Sequence, residues 1–255
     1  MATASLPATA QDLRFCPTRP SLGSSACTTD PGHVHVEVGA VDWEKDDRKD
    51  TRDDQVIAGD LLARVGVGPT TEVQIGWTAF GHVRDREKAT NTIDATNGVG
   101  DVTIGLRQNL RHPDGKGFSF GIQPFVTLPT GHSPIGAGDY ALDVVLPVSY
   151  DLSDSVNLNF TGEVDDAADE TRDGHHVEYS GIVGLGYELS KRLTLVGELS
   201  LAHVQVEDGY ETRALAAGSI AWQPRKRLQF DVLAVAGLNH SSPDVRLALG
   251  GAVLF

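Results

Sequence analysis

From residue 33 onward, apolar residues alternate with polar or small ones in stretches of about ten, separated by turn-forming residues. A period of two predicts β-strands, because successive side chains of a strand point to opposite faces. Twelve such segments follow one another, over 33–44, 55–67, 71–83, 99–110, 118–129, 140–151, 155–165, 176–189, 192–205, 211–223, 227–239 and 244–255. No stretch of helical period competes with them. The sixth sets Leu142, Val144, Leu146, Val148 and Tyr150 against Asp143, Val145, Pro147, Ser149 and Asp151. The eleventh sets Leu228, Phe230 and Val232 against Gln229, Asp231 and Leu233. Consecutive segments of similar length predict an up-and-down meander.

A soluble barrel of twelve strands would need one apolar core filled by side chains alone. Eight strands already enclose a filled or ligand-sized interior, so twelve is too wide. The inverted arrangement fits: apolar residues face lipid, polar residues face a wet lumen, and closure satisfies every backbone donor and acceptor. The expected fold is therefore all-β, a twelve-stranded antiparallel up-and-down transmembrane β-barrel of outer-membrane type. It occupies 33–255, behind an irregular arm over 1–32.

The joins support this. Those after even-numbered segments are short, such as Gly68-Pro69-Thr70, Leu152-Ser153-Asp154 and Ser190-Lys191. Several odd-numbered joins read as longer loops, at 45–54, 84–98, 130–139 and 166–175, some carrying acid runs such as Asp165-Asp166 and Asp169-Glu170. Short turns on the periplasmic side and long ones outside are the habit of such barrels. An even strand count then leaves both termini periplasmic. The chain ends on Phe255 in an alternating strand, which resembles the signal read by the outer-membrane assembly machinery.

Composition narrows the partners. Asp plus Glu number 35 against 21 Lys plus Arg, a net charge of -14, so a nucleic-acid partner is not expected. With 28 Gly and one Met the chain is poor in helix formers, and no run of about 18 apolar residues suggests a transmembrane helix. Met1-Ala2-Thr3-Ala4-Ser5 has neither a basic nor an apolar leader region, so no signal peptide is read in this chain. That leaves a cytosolic protein, or an exported one whose leader was replaced by Met1. Cys16 and Cys27 lie in a Pro/Ser/Thr/Gly-rich stretch with too few soft ligands for zinc. A local disulfide in an oxidising compartment is the favoured reading, with two free thiols as the alternative.

Three segments carry a resemblance: Gly98-Val99-Gly100-Asp101-Val102-Thr103-Ile104-Gly105-Leu106-Arg107, Leu128-Pro129-Thr130-Gly131 and Gly138-Asp139-Tyr140-Ala141-Leu142-Asp143. They resemble bacterial outer-membrane transporters of the phenol meta-pathway degradation (MetA-like) family, over about residues 33–255 and without the cysteine arm. The resemblance implies a channel for small organic solutes, aromatics among them. It implies no binding residues.

The alternation itself turns charge inward, at Glu37, Asp60, Arg64, Glu72, Asp101, Arg107, Asp143, Glu163, Glu198, Arg213, Asp231 and Arg246, with Phe80, Phe125 and Leu233 as apolar lumen contacts. Arginines and carboxylates on neighbouring strands should pair. Such pairs either close a narrow barrel or line a solute path, and an acidic excess would favour cations. The arm, with Leu6, Leu13, Phe15 and Leu22, either plugs the periplasmic mouth or hangs as a tail.

No catalysis, cofactor or metal is expected. His203, His175, His176, His240, Ser241 and Ser242 are the candidates for a rim catalytic set, but no Gly-x-Ser-x-Gly elbow is present. His175-His176 reads as a solvated loop. Trp43, Trp77, Tyr140, Tyr150, Tyr187, Tyr210 and Trp222 lie near segment ends, as aromatic girdles would. The expected partners are outer-membrane lipid and lipopolysaccharide, the barrel assembly machinery and a small organic solute, with the chain a monomer.

Overall fold

A computed structural model describes residues 13–168, 174–206 and 209–255. Leu6, Asp169, Glu170 and Asp173 lie outside the described residues. The chain forms thirteen strands: β1 (Val34–Asp47), β2 (Thr51–Gly68), β3 (Thr71–Glu87), β4 (Thr92–Gly98), β5 (Val102–Arg111), β6 (Phe118–Leu128), β7 (Ala141–Asp151), β8 (Val156–Ala168), β9 (His175–Ser190), β10 (Leu193–Val206), β11 (Gly209–Arg225), β12 (Leu228–Gly237) and β13 (Val245–Leu254). Neighbours in sequence pair antiparallel except β4 with β5, and β1 pairs with β13, so the sheet closes on itself. β4 pairs with the upper half of β3 and β5 with its lower half. These two share one stave, and the wall has twelve.

The expected segments are found, with corrections at one end. The stretches 45–54 and 84–98 are not loops: β1, β2 and β3 run on as a tall hairpin pair, and β4 was not anticipated. Their residues, such as Asp46, Arg52, Asp54 and Arg84, are charged on both faces and pair with each other instead of alternating with apolar partners. His175 and His176 likewise open strand β9, paired with Ala168 and Ala167. Among the described residues 129–140 is the longest irregular connection between strands, and it folds inward. Asp101, in the break between β4 and β5, accepts from the Gly131 (2.6 Å) and Gly138 (3.2 Å) amides and holds that loop. Asp101 is therefore engaged by the loop and does not line the lumen in a strand's alternation.

The outward face is apolar. Leu146, Phe160 and Phe230 are each exposed by nearly half, at 47%, 49% and 49%, as residues meant for acyl chains are in the bare protein. Their strand neighbours Val145, Thr161 and Asp231 are buried, at 6%, 3% and 5%. At the short-turn end Phe118, Tyr150, Tyr187, Trp222 and Phe230 form an exposed belt; at the other end Tyr179, His203 and Tyr210 stack in a row at 5.0 and 4.9 Å. Phe255 extends the last strand through its amide to the Val34 carbonyl (2.9 Å).

One expectation fails for a local reason. Glu37, Arg64, Glu72 and Gln74 point inward near the short-turn end, yet higher up Asp42, Gln55 and Ile57 share a cavity with Asp60 and Thr78. The alternation changes phase at one height across β1, β2 and β3. It does so at the register shift between Gly39 and Val41, at Gly59 with φ +68, and beyond Thr78. A left-handed residue inserts the half-step that a regular pleat cannot make. Phe80 thus points outward, 44% exposed, and is not a lumen residue.

Candidate functional site

The lumen is not empty. Residues Leu13–Pro31 lie inside it without regular secondary structure. From Arg14 at the short-turn mouth the arm follows the inner wall through almost a full circuit, and the Cys16–Cys27 disulfide closes the loop, with 11 residues of sequence separation. A disulfide is therefore present in the structure at the expected pair.

The inward charges hold this arm. Glu37 of β1 accepts from the Thr18 and Arg19 amides, each at 3.0 Å. The Arg19 guanidinium donates to Asp231 of β12 (3.2 Å), and Gln229 donates to the Arg19 carbonyl (2.8 Å). A Cβ at Gly250 would fall 2.5 Å from that guanidinium, so only glycine lets Arg19 lie against β13. Ser219 of β11 donates to the Pro20 carbonyl (2.8 Å). Glu198 of β10 accepts from the Ser21 hydroxyl (2.5 Å) and the Leu22 (3.0 Å) and Gly23 (3.3 Å) amides. Thr161 of β8 accepts from the Ser24 amide (2.9 Å). Asn109 and Arg107 of β5 donate to the Ala26 (2.8 Å) and Cys27 (3.0 Å) carbonyls, and Glu72 of β3 accepts from the Thr29 amide (2.6 Å).

The centre of this anchorage is a dry charge cluster. Arg64 and Arg107 have no exposure, nor has Glu72, and Glu37 has 1%. Arg64 bridges Glu37 (2.9 Å) and Glu72 (2.8 Å) and also donates to the Cys16 (2.8 Å) and Cys27 (3.0 Å) carbonyls. Arg107 meets Glu72 at 3.1 Å. Two cations and two anions balance, so their mutual attraction offsets the desolvation cost of each buried ion. Each arginine still has donors left over, and the arm's carbonyls take them. The Phe15 ring covers His35 of β1 with centroids 4.9 Å apart.

The remaining expected residues lie towards the long-loop end. Arg246 pairs bidentately with Asp42 (2.6 Å) across β13 and β1, and Asp60 accepts from Thr78 (3.0 Å). These groups border a cavity of about 320 Å³ beside Ile135 of the inward loop. Arg213 is exposed at that mouth, near Glu44. Asp143 stands opposite Asp165 on β8, and Glu163 accepts from Ser180 (3.2 Å). Phe125 does point inward, its ring across Gly105. Leu233 is inward too, in an apolar patch with Val235 and Ala248 on which Leu22 packs.

The arm divides what space is left. A cavity of about 220 Å³ lies on its short-turn side, bordered by Ser21, Gly23, Glu198 and Ile182. One of about 250 Å³ lies on the other side, bordered by Leu22, Glu163, Asp165, Glu178 and, again, Ile182. The sequence pattern did not single out Ser24, Gln123 or Asn109 as anchors; small polar residues on an inward parity carry no signal until the arm is placed. His203 stacks on the outer face between Tyr179 and Tyr210, and the Ser242 hydroxyl bonds the Ala214 amide (2.8 Å) and carbonyl (2.9 Å). Among the described residues no group of three or more His, Cys, Asp or Glu could hold a metal.

Comparison with known proteins gives one family and one architecture. The family model described as "Putative MetA-pathway of phenol degradation" matches residues 18–255. The match begins inside the disulfide loop, so the arm from Thr18 onward falls within the shared region rather than outside it. Among solved structures the chain is similar to the NanC porin (TM-score 0.53, 10% identity, 86% of this chain and 98% of that one). It is also similar to the KdgM porin (0.50, 11%, 84% and 98%) and to the translocator domain of autotransporter NalP from Neisseria meningitidis (0.53, 11%, 89% and 90%). At such identities these establish the barrel fold and no more. No curated protein matches the chain.

Proposed function

The chain belongs to the family described as "Putative MetA-pathway of phenol degradation", and we propose that it is an outer-membrane channel for small organic solutes whose lumen is occupied by its own N-terminal arm. The observation that carries this reading is the pair of cavities on either side of the arm, of about 220 and 250 Å³, lined by polar and apolar side chains together. A structural barrel has no need of water-sized space on both faces of its filling.

In this reading the short turns and both ends of the barrel face the periplasm, and the tall β1–β4 hairpins face outward among lipopolysaccharide. The long-loop vestibule is acidic, with Asp42, Glu44, Asp60, Asp143, Glu163, Asp165 and Glu178 against Arg246 and Arg213. Such a field concentrates cations and admits neutral solutes at the expense of anions. Phe125 and the Leu233 patch offer the apolar contact that an aromatic solute would use. The assembly machinery would read Phe255, and the chain would work as a monomer.

Planar-bilayer conductance and liposome swelling with phenolic compounds and sugars test this. Deletion of residues 1–32 should raise conductance several-fold. A second reading, a closed barrel without transport, is favoured by the anchoring of the arm to β1, β3, β5, β6, β8, β10, β11 and β12. It is selected if neither the full chain nor the deletion passes any solute.

A further inference from the structure

The arm is not held equally along its length. Its two ends are joined by the disulfide and clamped by Arg64, Glu37, Glu72 and Arg107. Its far side, Ser21–Gly23, has one polar anchor, Glu198, which is 6% exposed and accepts from the Ser21 hydroxyl and the Leu22 and Gly23 amides. The other contact of the tip is apolar: Leu22 rests on Leu233, Val235 and Ala248. The cavities on the two sides of the arm meet here. Ser21 and Gly23 border the lower one, Leu22 borders the upper one, and Ile182 borders both. A single backbone strand separates them.

We propose that Ser21–Gly23 is a local gate latched by Glu198, and that the space it vacates is a binding site for a small solute carrying a hydrogen-bond donor on an apolar body. The proposal deepens the channel reading and rests on it. When the tip moves aside, the anchors that flank it stay in place, Pro20 on Ser219 and Ser24 on Thr161, Gln123 and Arg107, so the arm remains bound. Glu198 is left needing donors, and the Leu233 patch is left needing apolar cover. A solute with an N–H or O–H group and a body of about the size of a leucine side chain supplies both. Leaving a buried carboxylate without donors is strongly unfavourable, so a solute that displaces water from Glu198 must bring a donor of its own. A carboxylate solute would meet Glu198 below and Glu163, Asp165 and Glu178 above, with like charge on both sides.

The test uses the full-length chain in planar bilayers and liposomes, with three probes of one shape: cyclohexylamine, cyclohexanol and cyclohexanecarboxylate. Glu198→Gln removes the charge that strengthens three hydrogen bonds and should raise the open fraction about tenfold, the equivalent of about 1.4 kcal/mol. Leu22→Ala should raise it comparably. In the wild type the amine and the alcohol should enter at least about tenfold faster than the carboxylate, and Glu198→Gln should narrow that preference. A Cβ at Gly23 lies 3.4 Å from that of Thr161, close to the separation a disulfide spans. The oxidised Gly23→Cys/Thr161→Cys protein should therefore lose uptake, whatever becomes of the other variants. The gate is overturned if the crosslinked protein conducts like the wild type, or if deletion of residues 1–32 opens the channel while Glu198→Gln and Leu22→Ala change nothing. If the deletion itself stays closed to every probe, the channel reading fails, and the gate with it.

Discussion

Replacing Arg64 by Met probes the anchorage directly. Arg64 is wholly buried and makes five hydrogen bonds, two to Glu72, one to Glu37 and one to each cysteine carbonyl. Met fills a similar volume, so the barrel keeps its packing while the charge and the donors go. Breaking one partner out of a buried ion cluster costs about 3–5 kcal/mol. The low end applies here. Glu37 keeps the Thr18 and Arg19 amides, and Glu72 keeps Thr29, Gln74 and Arg107. The ion pairs join wall to wall, so the part that falls on arm docking is the two bonds to the Cys16 and Cys27 carbonyls, about 1.5 kcal/mol each, and their loss raises the undocked population roughly a hundredfold. Trypsin reports that population, because cleavage after Arg14 needs the arm free of Asp30, Thr28 and the Pro69 and Pro113 carbonyls. Cleavage of a transiently open state follows its equilibrium share. The rate of loss of the N-terminal peptide should rise about a hundredfold, with the barrel still migrating as a folded species in unheated gels. An unchanged rate in a folded barrel would show that Arg64 does not hold the arm, and the anchoring argument would fail.

Three other outcomes follow from the same structure. Cys16→Ala/Cys27→Ala opens a loop of 11 residues' separation and should weaken arm docking by about 3 kcal/mol through the entropy of the free loop, seen as faster trypsin cleavage. Leu146→Arg, on the outward face, should destabilise the barrel by about 2–4 kcal/mol in denaturant titrations in lipid vesicles; a negligible change would mean that this face does not meet lipid. Asp101→Ala frees the Gly131 and Gly138 amides and should expose 131–138 to proteinase K, whereas an equally resistant loop would show that other contacts hold it.

The readable part of this molecule is the part that crosses lipid. There, every second residue must be apolar, and a strand cannot hide that requirement. Leu142, Val144 and Leu146 declare one face, and Asp143, Val145 and Pro147 the other. Where the same strands leave the membrane the requirement lapses. Runs such as Lys45-Asp46-Asp47, Arg52-Asp53-Asp54 and Arg84-Asp85-Arg86 put charge on both faces, so the tall hairpins of β1–β4 read as loops. Phe80 was misplaced because one residue out of step reverses every side chain beyond it. The only local sign of that step was a glycine, Gly59, inside a strand.

The inward charges show the limit most clearly. Alternation alone places Glu37, Arg64, Glu72, Arg107, Glu198 and Asp231 inside the barrel, and their number implies a polar interior. It does not say what they bind. An arm of Pro, Ser, Thr and Gly has no period, and its amides and carbonyls look the same whether they face water or a wall. Barrel closure alone brings β1, β3, β5, β10 and β12 round one axis at one height, so that Arg19 meets both Glu37, 18 positions away, and Asp231, 212 positions away. Periodicity is a property of neighbours along the chain and is set by the solvent on each side. The filling of the lumen is a property of the closed ring, where charges distant in sequence must find partners because water is excluded.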